Sequence, residues 1–256
     1  MIRAGLSKYS MLLSELVKRD IKIKYKGSAL GILWSVINPL LMMLVMSFVF
    51  GMVFRFKIEH YIVYLLTGQV FFGFMSESTT SSMNAILWNG SLLRKIYVPK
   101  YIFPISKVLS TLVNLAFNLI SVFVIMAIDG VPFSWALFMI PVVICFLFIF
   151  TLGLGLLLST IVVFFRDMQH IYGIITLAWT YYTPIFYPIN QLPENYQFFF
   201  KLNPMYQYIN YFRIIVLEQR VPGWEINAVC LACSLIMLFI GVSVFKAKQY
   251  KFLNYV

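Results

Sequence analysis

Runs of apolar residues long enough to cross a lipid bilayer recur along almost the whole of this 256-residue chain. A hydrocarbon core of roughly 30 Å needs about 20 helical residues to span it. Hydrophobic residues make up 61% of the sequence, which is more apolar surface than a soluble domain buries in one core. The short alternating segments of a membrane β-barrel do not occur in it. The sequence therefore predicts an all-α integral membrane protein.

The apolar runs predict six transmembrane helices. Their approximate ranges are 30–54, 61–87, 105–128, 133–164, 168–188 and 226–245. With the amino terminus in the cytoplasm, fifteen of the twenty Lys and Arg residues lie in or beside cytoplasmic segments. This split follows the positive-inside rule and predicts that both termini are cytoplasmic. The net charge of +11 then reflects orientation and contact with anionic lipids, so nucleic-acid binding is not needed to explain it.

An amphipathic helix over about 5–26 precedes the first span, with basic and apolar residues on opposite sides of a helical wheel. Such a helix is expected to lie in the cytoplasmic interface. Asp20 falls on the apolar side and needs a cationic partner, for which the candidates are Arg94, Lys95 and Arg166. The alternative is that the helix simply ends near residue 19.

The first two spans carry features that interrupt a plain apolar helix. Gly27 and Gly31 either permit close approach of another helix or form a bend, and Asn38-Pro39 predicts a kink. The second span ends in the polar stretch SESTTSSMNAILW, where Glu77 is either an interfacial carboxylate bonded to Ser76 or Thr79, or an ion relay. The second and fourth spans are over-long, which predicts tilt or extension into the cytoplasm.

The outer segment 189–225 is rich in aromatic residues but is broken at Asn203-Pro204. Neither half is long enough to cross a bilayer. Two short re-entrant helices over about 190–220 are therefore expected, because irregular backbone at membrane depth must be covered by protein. A folded external loop packed on the spans is the alternative.

Residues 91–97, between the second and third spans, predict a short amphipathic cytoplasmic helix. Ser91 is the expected N-cap and Pro99 the stop. A helix of this kind is suited to docking in a groove of a partner protein. A plain lipid-facing loop is the other interpretation.

Residues that could support catalysis or metal binding are sparse. His60 and His170 have no second ligand nearby, and Cys145, Cys230 and Cys233 lie in apolar runs typical of packing. No glycine is followed by lysine, so the phosphate-binding G-x-x-x-x-G-K-[ST] loop is missing. The chain is therefore not expected to be an enzyme or to hold a cofactor or metal. A membrane-embedded transferase or an ion-coupled small-solute carrier would need intramembrane acids, which the spans almost lack.

Four ordered stretches form a specific pattern: LVKRDIKIKYKGSALGILWSVINPLLMM, LLRKIYVPKYIFPISKVL, FFRDMQHIYGIITLAWTYYTPIFYP and LNPMYQYINYFR. The pattern resembles the type-2 ATP-binding-cassette (ABC) exporter permeases that move lipid-linked polysaccharides such as O-antigen, capsule and teichoic acid. Only Val98, where the family often has Phe, departs from it. The motif residues include Asp20, Gly31, Trp34, Asn38, Pro39, Arg166, Asp167, Pro184, Pro188, Asn203, Pro204 and Arg213.

This resemblance implies one transmembrane domain over residues 1–256 that forms half of a channel in a bacterial plasma membrane. It implies a homodimer with two separate ABC ATPase subunits, which would carry ATP and Mg²⁺. The helix at 91–97 would be the coupling helix that contacts the ATPase. The coupling residues would be Leu92, Leu93, Arg94, Lys95, Ile96 and Tyr97.

The substrate implied by the resemblance is a glycan on a polyprenyl diphosphate carrier. Cations placed to attract its phosphates at the cytoplasmic entrance are Lys18, Arg19, Lys22 and Lys26. Aromatic residues that could stack on sugars along the path are Phe48, Phe71, Phe72, Trp179, Tyr181 and Tyr182. Each of these aromatics could instead be a packing or lipid-facing residue. A drug or haem exporter of the same superfamily would share the architecture.

Overall fold

The computed structural model describes residues 9–54, 58–95 and 98–255, and these residues are helical with no β-strand among them. The α-helices are α1 Ser10–Tyr25, α2 Trp34–Phe54, α3 Tyr61–Trp88, α4 Gly90–Lys95, α5 Ile102–Ile128, α6 Ile140–Phe164, α7 Met168–Tyr182, α8 Glu194–Lys201, α9 Pro204–Val216 and α10 Trp224–Lys248. Short 3-10 helices lie at Gly31–Leu33, Trp135–Met139, Ile189–Gln191 and Gln249–Asn254.

Four helical stretches in the described part of the chain are long and apolar enough to cross a membrane: Gly31–Val49, Ile102–Ile128, Trp135–Phe164 and Trp224–Asn254. They correspond to the first, third, fourth and sixth predicted spans. The chain is thus a multi-pass membrane protein. The count of six spans stays a prediction, because α3 is polar in its second half and α7 has only 15 residues.

Several predicted boundaries differ from the helices. The helix predicted over 168–188 ends earlier, at Tyr182, because the residue before Pro184 disfavours helical backbone. The expected 32-residue helix over 133–164 is instead a 3-10 turn followed by the 25-residue α6, which starts just before Pro141. Residues 5–8 of the interface helix, like Ile96 and Tyr97 of the coupling helix, lie outside the described residues.

The hydrophobic core surrounds α3, which packs against α5, α6 and α9. Phe71 of α3 stacks on Phe212 of α9 with ring centroids 4.3 Å apart. The helices α6 and α10 form the closest pair, because a Cβ on Gly241 would lie 2.0 Å from the Gly153 carbonyl oxygen. This contact requires glycine at both positions.

The glycines before α2 belong to a bend, which was one of the two expectations for them. Gly27 and Gly31 have φ of +79° and +52°, conformations that L-residues with a side chain rarely adopt. No atom of the described residues lies within 4 Å of a Cβ built on either residue, so neither glycine makes a close contact with another helix of this chain. Pro39 lies inside α2, as the sequence predicts.

The segment after α7 contains two short helices separated at Asn203-Pro204. The first, α8, has no buried residue, whereas most of α9 is buried against α3, α6 and α10. Asn203 caps α9, since its side-chain oxygen accepts a hydrogen bond from the Met205 amide at 3.0 Å. Pro204 occupies the first turn, where its missing N–H costs nothing.

Candidate functional site

The interface helix α1 is attached to α5 by an ion pair. Lys107 Nζ lies 2.9 Å from Asp20 Oδ2, and the two side chains are only 14% and 9% exposed. Arg19 also contacts Asp20, at 3.2 Å, and lies 3.5 Å from the Asn89 side-chain oxygen. Asp20 thus has the cationic partner that its position on the apolar face requires. The predicted partners Arg94, Lys95 and Arg166 are wrong, because α1 lies along α5 and brings Lys107 to the carboxylate.

A second ion pair joins the end of α1 to the polar half of α3. Lys24 Nζ donates to Glu77 Oε1 at 2.6 Å, and the Asn114 amide donates to the same oxygen at 3.2 Å. Tyr25 of α1 hydrogen-bonds to Ser35 and to Asn114. Glu77 is therefore paired with α1 and α5, and its partners are not Ser76 or Thr79 as expected; its position at the membrane interface stays a prediction. The Thr79 hydroxyl instead forms a hydrogen bond with the Tyr172 hydroxyl, at an oxygen–oxygen distance of 2.7 Å.

Three cavities that share Glu77 make up what we call the polar groove. The first, of about 400 Å³, lies between α1, α3 and α5, and the second, of about 300 Å³, lies under the start of α2. The third, of about 370 Å³, continues along α3 to Gln69 and to the turn after α7 at Ile185. Polar lining residues are Arg19, Asp20, Lys24, Tyr25, Ser35, Asn38, Gln69, Ser76, Glu77, Ser81, Asn89, Lys107, Ser110, Thr111, Asn114, Asn118 and Thr180. Such residues are costly in a bilayer and are expected to line an aqueous or substrate-filled path.

The four predicted entrance cations lie on exposed parts of α1 and just after it. Arg19 lines the polar groove, Lys18 pairs with Glu15 at 2.8 Å, and Lys22 and Lys26 are exposed. Sequence reasoning missed Lys24 and Lys107, which approach the groove more closely than Lys18, Lys22 or Lys26 do. Helical periodicity could have suggested Lys24, because it follows Asp20 by one turn; the pairing of Lys107 needs the packing of α5.

The six aromatic residues predicted along the path divide into three groups. Phe71 is fully buried in the core, and so does not line a surface of this chain. Phe72 lines the third cavity and meets Trp179 edge to face, while Trp179 Nε1 donates to Asn203 at 2.9 Å. Phe48, Tyr181 and Tyr182 are exposed. A role in stacking on sugars stays a prediction for Phe48, Phe72, Trp179, Tyr181 and Tyr182.

The predicted coupling helix is α4, and its leucines turn inward. Leu93 is buried in a cluster with Leu16 of α1 and Phe103 of α5, and Leu92 packs on the same cluster. The expectation that Leu93 contacts a partner is therefore corrected, since it anchors α4 to its own chain. Ser91 lies within the helix rather than capping it, because α4 begins at Gly90. Arg94 and Lys95 are on the exposed side.

A buried cation joins α9 to the start of α3 and to the turn after α7. Arg213 of α9 donates to the carbonyl oxygens of Pro184 at 2.8 Å, Ile185 at 3.1 Å and Tyr64 at 3.2 Å. Its guanidinium carbon also lies 3.4 Å from the centre of the Tyr64 ring, a cation–π contact. Arg213 and Pro184 thus hold the turn after α7 between α3 and α9.

The remaining motif residues have structural contacts. Asn203 donates to the Thr183 hydroxyl at 2.9 Å, and Pro188 starts the 3-10 turn Ile189–Gln191. Arg166 donates to the Tyr255 carbonyl oxygen at 3.2 Å, and the Asp167 carbonyl oxygen accepts from His170 in the first turn of α7. Trp34, at the start of α2, is exposed and borders the second cavity.

Within the described residues, no group of His, Cys, Asp or Glu side chains is arranged to hold a metal ion. His60 pairs with Asp129 at 2.9 Å, and the three cysteines are free thiols.

Comparison with known proteins identifies the family. The family model described as ABC-2 type transporter matches residues 11–217, most of the chain. The chain belongs to the ABC-2 type transporter family. This ABC-2 permease is 32% identical over 249 residues to the O-antigen export system permease protein RfbA of Myxococcus xanthus, covering 96% of each chain. It is 29% identical to a Klebsiella pneumoniae protein of the same name, covering 94% and 93% of the two chains. It is also 24% identical to the polysialic acid transport protein KpsM of Escherichia coli, covering 97% and 98%.

Proposed function

We propose that this ABC-2 permease is the membrane subunit of an ATP-driven exporter of a bacterial surface polysaccharide. The observation that carries the proposal is the similarity over nearly the whole chain to permeases named for O-antigen export. A relative named for polysialic acid transport extends the comparison to capsule polymers. Polysaccharide is therefore the substrate class, and a glycan on a polyprenyl diphosphate carrier is the form that we propose for it.

The polar groove supports a role in moving a hydrophilic polymer. It starts at Arg19, Lys24 and Lys107, whose positive charges outnumber the carboxylates of Asp20 and Glu77 beside them and so leave a net positive charge for phosphates. It continues along amide and hydroxyl side chains. Neutral hydrogen-bonding groups of this kind suit sugars. An ion-coupled carrier would instead use Glu77 as a relay, and here that carboxylate is paired with Lys24.

We propose a homodimer in which the groove of each protomer faces its partner. The described part of α2 is the least buried of the four apolar spans, with 11% of its most apolar window buried. It exposes Met42, Val45 and Phe48 beside the third cavity. Two copies related by a two-fold axis would cover these faces and close the grooves into one path.

Two ABC ATPase subunits, with bound ATP and Mg²⁺, are the proposed energy source. The exposed side of α4, with Arg94 and Lys95, is the proposed docking point, and Leu92 and Leu93 would transmit its movement into the α1–α5 core. The complex would lie in the bacterial inner membrane with both termini in the cytoplasm, as the positive-inside distribution indicates.

Gene deletion in the native host tests this function. Loss of the chain should remove a polysaccharide from the cell surface while its lipid-linked precursor accumulates inside, and a plasmid copy should restore export. Surface glycan labelling and precursor extraction measure the two pools. Unchanged surface polysaccharide in the deletion strain would exclude the proposal, and a catalytically inactive ATPase subunit serves as the matched control.

A further inference from the structure

An apolar crevice lies between α5, α6 and α10, away from the polar groove. Its volume is about 280 Å³, and its lining residues are Tyr101, Ile105, Leu152, Leu156, Leu238, Val242, Phe245, Lys246 and Gln249. From Leu238 to Lys246 the crevice follows α10 for eight residues, or roughly 12 Å at about 1.5 Å per residue. From Leu238 to Phe245 its lining is apolar.

The end of the crevice at Lys246 and Gln249 is positively charged. Lys246 is exposed there, and Lys100 Nζ donates to the Gln249 carbonyl oxygen at 2.6 Å. Partial burial lowers the pKa of Lys100. Among the residues that the structure describes, no acid lies within ion-pair distance of Lys246 or Lys100. Residues 246–255 contain three lysines and no acid.

The neighbouring surface of α10 is suited to lipid. Leu235, Ile236 and Phe239 are exposed on it, and only 22% of the most apolar window of this helix is buried. The lysines at the end of α10 mark the cytoplasmic interface in the proposed topology. The crevice therefore runs from the cytoplasmic headgroup region into the hydrocarbon.

We infer that this crevice binds one anionic phospholipid of the cytoplasmic leaflet, with an acyl chain along Leu152, Leu156 and Leu238 and the headgroup phosphate at Lys246. The inference uses the topology of the proposed function but neither its substrate nor its ATPase. A partner helix about 10 Å wide would lie over the crevice, whereas a single acyl chain can lie within its volume of about 280 Å³. Charge selects an anionic headgroup, since an unpaired lysine at the interface attracts negative lipids.

Native mass spectrometry of the purified permease tests the site by titration with phosphatidylglycerol and phosphatidylcholine of identical acyl chains. We expect one phosphatidylglycerol to bind at least about fivefold more tightly, the effect of roughly one interfacial lysine. Lys246→Gln should remove this preference, and Leu238→Trp should block binding by filling the crevice. Lys248→Gln, about 200° around the helix, and Leu235→Trp, outside the crevice, are the matched controls.

Melting temperature and size-exclusion profile show whether each variant is folded. Because the two crevice variants change different groups, the test still works if one of them does not fold. Equal binding of the two lipids, or unchanged binding in both Lys246→Gln and Leu238→Trp, would overturn the inference. Displacement of phosphatidylglycerol by a polyprenyl diphosphate at equal concentration would also overturn it, because the crevice would then be a substrate site. Unchanged surface polysaccharide in the deletion strain, together with normal lipid selectivity of the purified permease, would count against the proposed function alone.

Discussion

Lys107 of α5 and Asp20 of α1 form an ion pair, with 2.9 Å between Nζ and Oδ2, in a position where both side chains are nearly buried. The pair fixes the interface helix to the membrane domain beside the polar groove. Leu16 and Leu93 lie in one core cluster, so α1, α4 and α5 are packed together. A partner that moves α4 would therefore also displace α1 and the cations that line the polar groove.

Asp20→Asn is expected to destabilise the permease, because it leaves the Lys107 ammonium buried without its counter-charge. Breaking such a pair costs about 3 kcal/mol or more. Melting in detergent should show the loss, and Glu15→Gln, which breaks the exposed pair with Lys18, should leave melting unchanged. A double variant with Lys107→Met should recover part of the stability; equal loss in the single and double variants would show that the pairing is unimportant.

Gly241→Ala should separate α6 from α10, since the added Cβ would lie 2.0 Å from the Gly153 carbonyl oxygen. Overpacking of this kind costs about 1–3 kcal/mol, against a gain of about 1 kcal/mol from better helix propensity. Gly73→Ala and Gly173→Ala, which meet no atom within 4 Å, supply controls that should be neutral or stabilising. Identical melting of Gly241→Ala and these controls would contradict the close packing.

Arg213→Met should destabilise the packing of α9 on the turn after α7, because the carbonyl oxygens of Pro184 and Ile185 lose their donor. Each buried acceptor left unpaired costs about 1–3 kcal/mol. Arg213→Lys should recover only part of the stability, since one ammonium cannot reproduce the fork of the guanidinium. The exposed Arg220→Met is the control, and thermal unfolding followed by fluorescence is the measurement. Equal melting of the Arg213 and Arg220 variants would contradict a stabilising role of the Arg213 hydrogen bonds.

Two substitutions on α4 should have different effects, one on the stability of the permease and the other on its binding of the ATPase subunit. Leu93→Ala removes a buried side chain and should lower stability by about 2–5 kcal/mol. Lys95→Glu changes an exposed charge, so melting should stay the same while co-purification of the ATPase subunit falls. Retention of the ATPase by a well-folded Lys95→Glu variant would exclude this face of α4 as the docking point.

The sequence predicts the helices well where apolar runs are long. It predicts side-chain partners poorly where these come from segments that are distant in the chain. The bounds of α3 and the break at Asn203-Pro204 follow from local composition and from the geometry of proline. The Asp20 partner was missed because 87 positions separate it from Lys107 along the chain, and only the packing of α1 on α5 brings them together. Local periodicity likewise predicted an apolar face of α4 that contains Leu93, but it could not show that other helices of the same chain cover that face.

Transport by the reconstituted complex tests the central claim most directly. The permease and its ATPase subunit would be placed in lipid vesicles, with the lipid-linked polysaccharide of the host added on the ATPase side. We predict that ATP and Mg²⁺ together move the polymer to the opposite side, where an added glycan-cleaving enzyme can reach it, and that a non-hydrolysable ATP analogue does not. Equal transfer without ATP, or no transfer of any host polysaccharide by a complex that hydrolyses ATP, would contradict the assignment.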